Sequence, residues 1–467
     1  MRRTLPVLLL LVVACGGRQP APPQATWFDP ESTTPPSKRQ APRVLVPPKP
    51  VIPPELVLRH ATILTASGQR YPDGAIVLRD GKIAAVGPSV AIPPGARELD
   101  LRGTFITPGL IDTHSHLGVY AAPDAIANED GNEATNIFTP AADAAAGYYP
   151  QDPQISRALA GGVTVAQILP GSANLIGGTS VVVEMRLGRT VDEVAFPGAK
   201  RGIKMACGEN PKRVYGKKTG PQTRMGLYPA LRKQLERARE YRGKQREYTA
   251  LRARWAEKQR QRQKPETAPP MQVRDDDLEV LSAVLDGEIL VHVHCYRAGD
   301  QLEMLSIADD FGYQIRSFHH ALETYKIRDR IAPRGIALST WADWWGFKLE
   351  AWDGIPENAA LFHEAGGRAV IHSDSPIGIQ RLNQEAAKAL TAGLAAGVKL
   401  DENDALRWIT ANAAWTLGID DVTGTLEAGK RADLVVWSGS PLSVYARAER
   451  VYIAGRTPSD FELGNAP

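Results

Sequence analysis

The middle of the chain is punctuated by short runs dominated by apolar residues. They are VTVAQIL (163–169), GIKMAC (202–207), EILVHVHC (288–295), YQIRSFHH (313–320), GIALST (335–340) and GRAVIHSD (367–374). Their length suits strands, and the longer mixed stretches between them suit helices. Strands buried on both faces and joined by helices form parallel sheets. With a further strand at 105–112 and one near 180–185 the count reaches eight, which predicts an α/β fold, a (β/α)8 TIM barrel over 107–423. In such a barrel the chemistry sits at the C-terminal ends of the strands.

The flanks follow another rhythm. LVLRHATIL, DGAIVLRDGKIAAVG and ARELDLRG read as short strands, with Asp73-Gly74 and Asp80-Gly81 as hairpin turns. GTLEAGKRADLVVW (424–437) and AERVYIAG (448–455) repeat the style, so 55–106 and 424–460 are expected to form one small β-sandwich from both ends of the chain. Inside the barrel, residues 212–270 form an insertion, of which 212–264 carry 18 Lys and Arg against 4 Asp and Glu. Leu231, Leu235 and Ala238 fall on one helical stripe there, and a solvated helix is expected, with an anionic surface as the alternative partner.

Composition adds a location. In MRRTLPVLLLLVVAC, two arginines precede an apolar run too short to span a bilayer, the pattern of a signal peptide over residues 1–15. VVAC resembles the bacterial lipobox, which would make Cys15 the lipidated residue and hold the protein in the cell envelope on a membrane anchor. The proline-rich stretch 16–54 then reads as an extended tether. Export argues against a nucleic-acid partner despite the basic insertion, and the net charge of +3 selects none. Cys207 and Cys295 read as packing residues rather than a disulfide framework.

Seven of the nine histidines lie at strand ends: His114 and His116, His292 and His294, His319 and His320, and His372, two residues before Asp374. Imidazoles and a carboxylate converging on one barrel mouth are what Zn²⁺ or a similar metal requires. His114 and His116 share a strand face, as do His292 and His294, so parity does not separate the latter pair. His319 and His320 should face opposite ways, leaving at most one inside.

TPGLIDTHSHLG, followed far downstream by GTLEAGKRADLVVW, resembles the amidohydrolase superfamily, in particular its imidazolonepropionase-like and prolidase-like branches, over roughly 55–457. The resemblance implies a barrel with a small β-sandwich and a metal site built from His114, His116, Lys204, His294, His320 and Asp374. Lys204 would be carboxylated, because an unmodified ammonium has no lone pair for a metal. His294 is taken over His292 because it lies nearer the strand end, and HALE selects His320. His372 would support the ligands from behind. Arg297 stands where deaminase-like and imidazolonepropionase members tend to carry a glutamate. That shifts the expectation to binuclear hydrolysis.

The activity so implied is cleavage of a C–N bond in an amide, cyclic amide or dipeptide. Two Zn²⁺ ions about 3.5–4 Å apart would hold a bridging hydroxide, and Asp374 would act as the catalytic proton carrier. The substrate is a small molecule whose binding residues are unknown, and oligomeric state is unreadable. The rival reading is an inactive, lipid-anchored scaffold acting through the basic insertion.

Overall fold

The computed structural model describes residues 55–218, 220–261 and 267–457. The signal segment, Cys15 and the tether lie outside the described residues, as do the last positions of the expected C-terminal β region.

The outer sheet has seven strands: β1 (Leu56–Leu64), β2 (Arg70–Arg79), β3 (Lys82–Gly87), β4 (Arg97–Asp100), β5 (Phe105–Pro108), β14 (Leu434–Trp437) and β15 (Ala448–Tyr452). Chain ends meet here: β14 pairs antiparallel with β5, Val435 opposite Thr107. Asp80 and Gly81 both have positive φ (49° and 76°), the backbone a two-residue hairpin between β2 and β3 demands. Asp73-Gly74 makes no turn. It lies inside β2, where a Cβ on Gly74 would come within 2.5 Å of Ile63, so this glycine permits a close approach instead.

The second sheet has eight strands in sequence order: β6 (Leu110–Ser115), β7 (Val163–Ile168), β8 (Ile176–Glu184), β9 (Gly202–Ala206), β10 (Leu290–Cys295), β11 (Ile315–His320), β12 (Ala337–Thr340) and β13 (Arg368–Ile371). It curls into a nearly closed barrel. Past the end of β13, Asp374 N donates to His114 O (3.0 Å) and Ser373 N to the Asp112 carboxylate (3.1 Å), tying the last strand to the first. The expected all-parallel order fails at one strand. β8 runs antiparallel to both β7 and β9. The segment between β7 and β8 is too short for the crossover that a parallel strand needs, and the chain simply doubles back.

The basic insertion is half packed. Its helix, Arg224–Arg260, is capped by the Thr223 side chain, and Leu227, Leu231, Leu235, Ala238 and Tyr241 are buried in the main core. Arg224 pairs with Asp300 (3.0 Å) and with Glu350, and Arg242 pairs with Asp286 (3.1 Å). Beyond Arg242 no side chain of this helix is buried. The expected solvated helix is therefore docked by its first half, through the stripe of Leu231, Leu235 and Ala238. Among the described residues no helix is long and apolar enough to cross a membrane.

Candidate metal centre

β6 delivers His114 and His116 to the barrel mouth, and β13 leads to Asp374. Asp374 Oδ1 lies 3.2 Å from His116 Nε2 and 3.7 Å from His114 Nε2. One donor atom from each of the three residues lies within 4.8 Å of the others, a spacing that one cation can span. His116 Nδ1 is 2.8 Å from Leu169 O, which fixes a proton on that nitrogen and leaves Nε2 as the ring atom turned toward Asp374. Asp374 has φ of 48°, a strained backbone for a side-chain-bearing residue and one that recurs at functional sites.

Lys204, on β9, is fully buried. Its Nζ sits 3.2 Å from His114 Nε2 and 3.1 Å from Pro170 O. Burial lowers its pKa to about 8, with Asp374 opposing the shift. His294 from β10 and His320 from β11 stand with ring centroids 4.5 Å apart, and the His320 ring lies 4.7 Å from that of His114. His294 Nδ1 and His320 Nδ1 are buried without a hydrogen-bond partner. Burial holds His114, His294 and His320 well below the ordinary imidazole pKa, so all three are neutral. For Asp374, burial raises the carboxyl, but the hydrogen bond and charge of His116 outweigh it and leave the pKa lowered.

All six residues selected from the sequence thus gather at one place, and the rule of alternating faces fails usefully there. His319 and His320 both reach the interior, because His320 takes φ of 66° and its side chain swings inward with its neighbour's. His319 then joins a buried relay. Its Nδ1 lies 2.9 Å from His114 Nδ1, its Nε2 lies 3.0 Å from His292 Nδ1, and His292 Nε2 lies 3.1 Å from Gln167 Nε2. His292 is therefore the deeper of the β10 pair, while His294 meets the mouth residues Asn210 and Tyr296.

His372, expected to support the ligands from behind, has both nitrogens buried without a hydrogen-bond partner, and it groups with His114 and His319 as a second possible donor triplet. Arg297 is exposed at the N-cap of the helix Ala298–Phe311. Cys207 and Cys295 are not lone packing residues. They form a disulfide that joins the C-terminal ends of β9 and β10, because paired parallel strands bring their Cα atoms to 5.2 Å.

Sequence reasoning missed the aromatic rim. Trp341 stacks on His320 at 4.2 Å, Tyr296 stacks on the same ring at 5.2 Å, and Phe347 meets both Trp341 and Tyr296 edge-on. The signal was present as WADWWGFK just after β12.

Residues 105–458 match the model of the amidohydrolase family. The chain is 34% identical over 405 residues to the amidohydrolase tasK of Hapsidospora irregularis, covering 83% of this chain but only 40% of that protein. It is 27% identical over 405 residues to an imidazolonepropionase of Mesorhizobium japonicum, covering 82% of this chain and 90% of that one. Among solved structures, an amidohydrolase from Thermotoga maritima MSB8 superposes with a TM-score of 0.76 at 35% identity, covering 86% of this chain and 99% of that chain.

Proposed function

The chain belongs to the amidohydrolase family, and from that premise we propose that it is a metal-dependent hydrolase cleaving the C–N bond of an amide, cyclic amide or dipeptide. The observation that carries the reading is the packing of one donor atom each from His114, His116 and Asp374 within 4.8 Å. The surroundings fit a metal. Neutral imidazoles, an ionised carboxylate and buried nitrogens with no other partner form a donor set that suits Zn²⁺.

His114, His116 and Asp374 would hold one ion and His294 and His320 a second, with a carboxylated Lys204 completing the donor set. Carbamate formation joins the neutral Lys204 amine to CO₂ and releases one proton, leaving an anion where an ammonium would repel the ions. Zn²⁺ bound here would supply Lewis acidity and an activated water.

The chain's own residues do the rest. Asp374 accepts the proton of the attacking water and returns it to the leaving nitrogen. Oδ2, turned toward His320, suits that task, because Oδ1 faces His114 and His116. Leu169 O holds His116 in one tautomer. Trp341 and Tyr296, packed on His320, shield the centre from bulk water. For the N-terminus we propose lipidation at Cys15, resting on VVAC after the apolar run.

The test is a panel of X-Pro dipeptides, N-acyl amino acids and cyclic ureides offered to chelated and Zn²⁺-reloaded protein. Hydrolysis that vanishes on chelation and returns with metal is expected, and Asp374→Asn should leave some metal bound while losing turnover by about 10³-fold or more. Turnover indifferent to chelation, or an active Asp374→Asn, contradicts the proposal.

A further inference from the structure

Lys348 projects into the barrel mouth from the aromatic segment after β12. Its ammonium lies 4.0 Å above the Tyr296 ring, and its side chain is only 18% exposed. Nζ is 3.0 Å from Asn210 Oδ1, and the Nδ2 of the same amide is 3.3 Å from His294 Nε2 and 2.8 Å from Ser172 Oγ. One side chain therefore separates this cation from a histidine of the metal centre. Its acidic neighbours are Glu209, at 3.4 Å and long for a charged hydrogen bond, and Asp374, which acts through its charge, while Arg213 adds a second positive charge to the surroundings.

The group is held in place rather than loosely tethered. Glu350, two residues on, accepts the Glu209 backbone N–H (2.8 Å) and pairs with Arg224. That ties the segment after β12 to the segment carrying Asn210. A positive charge largely removed from water and fixed beside aromatic faces attracts an anion more strongly than a solvated lysine does.

We infer that Lys348, oriented by Asn210, is the receptor for a carboxylate on the substrate, and that Tyr296, Phe347 and Trp341 form the wall against which its apolar side chain lies. The inference rests on the hydrolase reading and narrows it to amides bearing a free carboxylate and an apolar side chain, such as N-acyl amino acids and dipeptides. Cyclic ureides without an acid fall outside it. Asn210 contributes its amide oxygen to orient the ammonium, and the unequal surroundings of Lys348 make it the residue that sets specificity.

Binding of 3-phenylpropionate and of its neutral amide, 3-phenylpropionamide, to the metal-loaded full-length protein tests this by quenching of tryptophan fluorescence. The parent should prefer the carboxylate by about 10- to 100-fold, the worth of one charge-assisted hydrogen bond. Lys348→Met should erase the preference with the amide's affinity and the metal content unchanged, and Lys348→Arg should retain it. A preference that survives in Lys348→Met places the carboxylate elsewhere and overturns the inference. So does a parent that shows no preference or binds neither probe. Because binding needs no turnover, failure to cleave any amide would strike the hydrolase reading alone.

Discussion

Which nitrogen of His114 is free for a cation depends on a proton count along buried, neutral imidazoles. A neutral imidazole donates from one nitrogen and accepts at the other. For His114 Nε2 to keep its lone pair, His114 Nδ1–H must donate to His319 Nδ1, and His319 Nε2–H to His292 Nδ1. His292 Nε2–H then points at Gln167 Nε2, 3.1 Å away, where two N–H groups would oppose each other. Gln167 Oε1 is buried without a partner. A half-turn of that amide, which now donates to Ser180 Oγ, lets Oε1 accept from His292 Nε2–H and from the Ser180 hydroxyl, and sets the tautomer of the whole row. Gln167→Leu should thus weaken metal binding by about 10- to 100-fold without touching a ligand. Chelator competition measures it, and a parental affinity would remove Gln167 from the relay.

At the scale of elements, the ends of β9 and β10 concentrate the chemistry. Lys204 is three residues before Cys207, His294 is one before Cys295, and the disulfide clamps the two ends. A bridge closing a separation of 88 residues is worth up to about 4.5 kcal/mol through the entropy of the unfolded chain. Replacing both cysteines by alanine should lower the denaturant midpoint accordingly, and an unchanged midpoint would show that the bridge does not form. Much of this level was legible in the sequence. Apolar runs gave eight strands, and period-two spacing put His114 with His116. What escaped depended on contacts between distant segments or on single dihedral angles. The reversal of β8 follows from a short connection that the apolar pattern does not weigh. Both His319 and His320 face inward because one backbone angle breaks the alternation. Gly74 serves a neighbour, Ile63, that becomes visible only once β1 and β2 are paired.

Over the whole molecule, charge and hydrophobicity divide the work. The helix Arg224–Arg260 buries an apolar stripe in its first half and presents a mostly basic surface beyond Arg242. Cys15, if acylated as proposed, keeps the barrel at a membrane, and Cys15→Ser should move the protein to the soluble fraction. A variant that fractionates like the parent contradicts the anchor. The central claim is the two-ion centre built around a modified lysine, because it joins the histidine cluster, the buried Lys204 and the proton role of Asp374. It is tested most directly by counting metal per chain, by plasma mass spectrometry, in the parent and in Lys204→Ala. The account predicts about two ions in the parent and one or fewer in the variant, since losing the carbamate leaves His294 and His320 alone to hold the second ion. Two ions retained in Lys204→Ala, or none in the parent after reloading with Zn²⁺, would contradict it.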